Sequence, residues 1–177
     1  MKIIESYLIT AEDFVNMQLA KEKYQTPKEN SMILRILGVI AVLCGIAAFM
    51  NVRNSLYQVI CWILLIFIGL AAISYYDIIN PYLIQKQAED FFELNSSEIA
   101  SKTVIFTEEE FELSEENHKI KIPKNYIYCI AESKNMILIF FDQNEFSFIP
   151  KRVFSEEQLD LLREYLPAER YKKLGEV

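Results

Sequence analysis

The chain has 177 residues, 52% of them apolar, and a net charge of −7. From Asp77 onward 20 Asp plus Glu face 12 Lys plus Arg, a surplus of eight negative charges. An acidic surface argues against nucleic acid as a partner, because phosphates demand a basic face, and against broad docking on anionic lipid.

Ile3–Ile9 reads as a short strand. Thr10 fits a helix N-cap with Asp13 in capping-box position, and Ile9 and Phe14 form a staple pair. The helix is predicted to run to about Tyr24, with a break marked by Thr26, Pro27 and Asn30. These elements make residues 1–30 a cytoplasmic strand and helix.

Two apolar runs follow, Met32–Met50 and Leu56–Tyr76. The second has 21 residues and no charge. At about 1.5 Å per residue it spans about 31 Å, close to the hydrocarbon thickness of a bilayer. Tyr57, Tyr75 and Tyr76 lie at its ends, where amphipathic rings favour the headgroup level. Arg35 opens the first run, and its long stem lets the guanidinium reach the interface. Residues 31–77 are therefore predicted to be a transmembrane helical hairpin, integral to a lipid bilayer. A pair of buried core helices is the soluble alternative, but such helices rarely stay uncharged over this length. A signal peptide fits worse, since no small-residue cleavage site is present and a second span follows at once.

Lys21, Lys23, Lys28, Arg35 and Lys86 flank the spans on one side, and only Arg53 lies in the connecting loop Asn51–Ser55. This bias predicts a two-span cell-membrane protein with both termini cytoplasmic. Gly38, Ala41, Gly45 and Ala48 are spaced by 3, 4 and 3 on one helix face. They are candidate helix-packing residues, with Gly69 and Ala72 opposite them. The other account is that small residues are common in membrane helices. The spans hold no interior acidic group, so a channel or transporter built by this chain alone is not expected.

Asn80–Pro81 reads as a helix start, continuing to about Leu94 with Ile84, Ala88, Phe91 and Phe92 on one side. Alternatively, the membrane helix continues with a kink at Pro81. Residues 78–101 are assigned to a juxtamembrane helix and linker.

From Lys102 the period changes to two. Val104 and Phe106, Phe111 and Leu113, then Ile120 and Ile122 alternate with polar neighbours. Tyr126–Ala131 and Met136–Phe141 are continuous apolar runs, as in strands buried on both faces. Phe146 and Phe148 complete six strands, joined by short turns at Ser114–Asn117, Glu132–Asn135 and Asp142–Asn144. Ser155 with Gln158 forms a capping box, and Phe154 with Leu159 a staple. Leu159, Leu162, Tyr165 and Leu166 form the apolar face of a final helix ending at Pro167. The expected fold is an α+β membrane protein: the hairpin plus an antiparallel, strongly bent sheet of pleckstrin-homology-like (PH-like) type with a C-terminal helix. A flatter α+β sandwich gives the same pattern. Residues 102–177 form this cytoplasmic domain, to which residues 1–24 are expected to belong.

The segment Ile149–Pro150–Lys151–Arg152–Val153–Phe154, entered from two apolar strands and leading into a helix, resembles the C-terminal domain of the YcxB-like family of bacterial membrane proteins. The N-terminal strand, the Glu12–Asp13 helix start and the two spans resemble that family's layout. The resemblance implies a membrane-anchored PH-like domain with no known catalysis.

No catalytic, cofactor-binding or metal residues are predicted. His118, the single His, lies in a charged hairpin and reads as an ordinary strand residue. Glu108–Glu110 and Glu115–Glu116 read as solvated turns. Cys44, Cys61 and Cys129 form no CxxC and read as small buried hydrophobes. Lys151 and Arg152 are the candidate binding residues, a compact basic pair beside a helix N-terminus. Their alternative role is to pair with acidic neighbours and hold the turn. The expected function is a membrane-anchored, non-catalytic binding or regulatory module for an unidentified protein or small ligand. The alternative is an accessory subunit of a larger membrane complex such as a transporter.

Overall fold

The computed structural model describes residues 3–26, 28–50, 56–95, 101–115, 118–143 and 145–174. The predicted loop Asn51–Ser55, Pro27, the linker residues 96–100, and Glu116, Asn117 and Asn144 of the predicted turns lie outside them. The chain divides into two units, residues 25–84 and residues 1–24 together with 85–177.

The first unit holds α2 (Lys28–Met50) and α3 (Leu56–Ser74). Both are long and apolar enough to span a membrane. They run antiparallel and approach closely at glycine: a Cβ built on Gly38 lies 2.7 Å from the Gly69 carbonyl oxygen, and one on Gly69 lies 2.7 Å from that of Gly38. Gly45 faces the Ile66 side chain, with the Trp62 carbonyl oxygen farther off at 3.3 Å. Ala41 and Ala48 lie half-buried on the same helix. Only glycine admits backbone contact this close, which apolar helices use because lipid offers no hydrophobic drive to pair them. Arg35 donates to Asp77 at 2.6 Å, joining the start of α2 to the residues just after α3.

Two helix boundaries differ from expectation. Asn30 does not break the chain, since α2 already begins at Lys28. An Asn in the first turn costs little there, because the first N–H groups of a helix lack intrahelical partners. Asn80 is not an N-cap. It has helical angles, φ −62° and ψ −48°, and its N–H donates to the Tyr75 carbonyl across a π-helical turn, Tyr75–Ile79. Pro81 has no N–H to offer the carbonyl four residues back and its ring would clash there. A locally wider turn relieves both problems, and α4 (Asn80–Asn95) follows directly.

The second unit contains two four-stranded sheets. The first has the order β1 (Ile3–Leu8), β2 (Ser101–Phe106), β3 (Glu110–Glu115), β4 (His118–Pro123), all antiparallel. The second has the order β7 (Phe146–Pro150), β6 (Met136–Phe140), β5 (Cys129–Glu132), β8 (Tyr171–Lys173), with β8 parallel to β5. The expected single meander of six strands is thus broken between β4 and β5. Pro123 ends β4, and Lys124–Tyr126 forms a 3-10 turn. The β5 pairing therefore begins at Cys129, not at Tyr126.

Period-two burial in β2 sends Val104 and Phe106 into the main core, where they meet Ile3, Tyr7, Phe111, Ile130, Ile137 and Leu162. That core joins both sheets to α5 (Glu156–Arg163), whose N-terminus is closed by the full Ser155–Gln158 capping box. The second sheet is covered on its other face as well. Met17 and Ala20 of α1 (Ala11–Gln25) pack on Cys129, Ala131, Met136, Leu138 and Phe140. Burial on both faces is why β5 and β6 lack polar alternation. Thr10 and Asp13 make the reciprocal cap at the start of α1, at 2.9 and 3.2 Å. Phe14 stacks on Phe91 of α4 with centroids 5.4 Å apart.

Candidate functional site

Pro150 ends β7, and Lys151–Val153 turns the chain into α5 through a 3-10 turn. Both predicted basic residues are committed to carboxylates. Lys151 Nζ donates to Glu132 Oε1 at 2.6 Å. Arg163 of α5 also reaches Glu132, at 2.8 and 3.1 Å, and the Tyr171 hydroxyl of β8 donates to it at 2.7 Å. Glu132 is 5% exposed. Burial opposes its charge, but the bonds from Arg163, Lys151 and Tyr171 outweigh it and hold the carboxyl down at about 2.

Arg152 makes a bidentate contact with Asp13, at 2.6 and 3.2 Å, and donates to the Leu8 carbonyl at 2.9 Å. One side chain thus fastens both the end of β1 and the start of α1 to the β7–α5 turn. Burial opposes the Asp13 charge, yet Arg152 and Thr10 hold the carboxyl below its usual range. Arg152→Ala is expected to cost about 1–3 kcal/mol, since it leaves a buried carboxylate short of its cation while the Arg152 head is half in water. Urea unfolding of the full chain measures the loss. Hydrogen exchange should quicken in β1 and α1 more than in β6; a uniform change would rule out a local clamp.

A second place has the shape of a binding site. An open groove of about 550 Å³ is lined by the 3-10 turn and the segment after it, Asn125–Cys129, with Phe141, Glu169, Arg170 and Lys172. Ile127 is fully buried in the main core, whereas its neighbours Tyr126 and Tyr128 are 69% and 49% exposed. This corrects the expectation of a strand buried on both faces from Tyr126: residues alternate between core and solvent up to Tyr128, and burial on both faces begins at Cys129. Arg170 donates to the carbonyls of Asn125 and Ile127, both at 3.3 Å, so it braces the turn from outside. Lys172 lies over the Tyr24 ring, 4.9 Å from its centroid. The Tyr24 hydroxyl meets Cys129 Sγ at 3.1 Å, and burial, then the contact with Cys129, raises the Tyr24 pKa.

Sequence inspection missed the groove. Its one signal is the pair of tyrosines separated by a single aliphatic residue, and Arg170 and Lys172 sit in a segment without apolar periodicity. Among the described residues no group of three His, Cys, Asp or Glu is placed to hold a metal ion.

The molecule is thus an α+β protein with two long apolar helices and a groove beside the turn that links its two sheets. A model of the YcxB-like protein family matches residues 106–166, from the end of β2 to just past α5. That segment is similar to the family, in line with the Ile149–Phe154 resemblance. It contains Glu132, Lys151, Arg152 and both groove tyrosines, while Asp13, Arg170 and Lys172 lie outside it. No curated protein and no solved structure matches the chain.

Proposed function

We propose that the protein is a membrane-anchored, non-catalytic binding module whose cytoplasmic, PH-like domain presents the Tyr126–Tyr128 groove to a ligand. The observation that carries the anchoring is the exposure of the apolar helices. Their most apolar stretches are only 11% and 6% buried, whereas the core helix of a soluble protein is mostly buried. Such a surface needs lipid around it. The basic residues around the spans support two crossings of the cell membrane with both termini cytoplasmic. Two four-stranded sheets sharing one core with a C-terminal helix support the PH-like architecture. Gly38 and Gly69 face each other, and Gly45 faces Trp62 and Ile66, so these small residues lie inside the hairpin, not outward. This favours a self-contained anchor over an accessory subunit that packs its spans into a larger complex.

The protein is expected to stay with membranes through an alkaline carbonate wash. On a cysteine-free background, Asn54→Cys should react with an impermeant thiol reagent in intact cells, and a C-terminal cysteine should not. Release by carbonate would end the anchoring, and the reverse labelling pattern would invert the topology.

A further inference from the structure

We infer that the groove binds a nucleoside monophosphate: a planar base, a hydroxylated sugar and a phosphate. The inference rests on the groove being the ligand surface of the binding module. Its first support is charge. Lys102, Lys119, Lys121, Lys151, Arg152 and Arg163 each face a carboxylate within 3.3 Å. Arg170 and Lys172 make no ion pair with a described residue; one touches two carbonyls and the other a ring. In a strongly acidic domain, two cations that no described carboxylate neutralises thus stand on one groove. Two cations match the nearly dianionic charge of a phosphate monoester better than the single charge of a carboxylate, and the Arg fork suits phosphate oxygens.

The second support is the aromatic pair. Ile127 turns inward, so Tyr126 and Tyr128 are both presented on the solvent side of the same short segment. Exposed rings of this kind stack on bases irrespective of base identity. The third is Glu169 in the groove lining, an acceptor for sugar hydroxyls. A volume of about 550 Å³ holds one small ligand and not a folded partner. Phosphate, base and sugar each find a matching group along the groove.

The test is isothermal titration of the full chain in detergent with the four common nucleoside monophosphates, alongside adenosine and inorganic phosphate. At least one nucleotide is expected to bind with Kd below about 1 mM, and both fragments at least about tenfold more weakly. Arg170→Gln and Tyr126→Ser should each weaken binding about tenfold, the loss of one stacking or charge contact. Arg170 also braces the turn, so Tyr126→Ser, at a mostly exposed position, is the variant expected to keep its melting temperature. Absence of binding by all four nucleotides up to about 10 mM overturns the inference. So does inorganic phosphate binding equally well, or Tyr126→Ser binding unchanged. Membrane retention and thiol labelling use no nucleotide. Failure of nucleotide binding with retention intact therefore removes this inference alone and leaves the anchored module standing.

Discussion

Glu132→Gln is expected to destabilise the domain by about 3 kcal/mol in urea unfolding at neutral pH. The substitution keeps the shape and removes the charge. Lys151 and Arg163 would then lose the carboxylate that both of them bond, and breaking one partner of a buried ion cluster typically costs about 3–5 kcal/mol. The lower end applies because both cationic side chains keep partial access to water, 21% and 29% exposed. The same residue governs acid stability. Its carboxyl is held at about 2 in the folded protein against an ordinary 4.5. A folded pKa below the unfolded one stabilises the protein fully above about pH 4.5, and the contribution fades as pH falls toward about 2. The contribution is about 2–3 kcal/mol after allowance for solvent at the two cations. Glu132→Gln should therefore lose stability less steeply than the parent over that window. Parallel slopes in melting temperature against pH would remove Glu132 from the account.

In the hairpin, Gly38→Ala is expected to lower thermal stability in detergent by about 1–3 kcal/mol, the range for overpacking a tight contact. The new Cβ would stand 2.7 Å from a backbone carbonyl oxygen of α3. Backbone cannot rotate aside, so the helices must separate. Gly69→Ala meets the Gly38 carbonyl at the same distance and should behave alike. At Gly45 the nearest atom is Ile66 Cγ1, at 2.6 Å, with the Trp62 carbonyl at 3.3 Å. A side chain can yield, so Gly45→Ala should cost less. An equal or reversed order among these variants would show that the glycine contact does not hold the hairpin.

The groove and the charged junction were legible to different degrees. Lys151 and Arg152 stand out in the sequence as the compact basic pair beside a capped helix. Nothing in it says that Arg152 meets Asp13, 139 positions away, or that Lys151 shares Glu132 with Arg163 and Tyr171. The groove was not legible. Tyr126 and Tyr128 read as core in an apolar run, and the exposure of the two rings follows from a 3-10 turn that only the packing of Ile127 reveals.

Local chemistry determined what could be read in advance. The two capping boxes, Thr10–Asp13 and Ser155–Gln158, are closed by residues three apart, so the sequence specifies them directly. The period-two alternation of β2 to β4 and the length of the two apolar helices are likewise properties of neighbouring residues. Tertiary structure alone decided the rest. It divided the strands into two sheets, because the turn at Lys124–Tyr126 interrupts the ladder after Pro123. It placed β8 beside β5, although the short, polar Tyr171–Lys173 carries no strand pattern of its own. It laid α1 over the second sheet and so buried β5 and β6 on both faces. These outcomes depend on which distant surfaces meet, and side-chain periodicity records only which face of an element is apolar, not what will cover it.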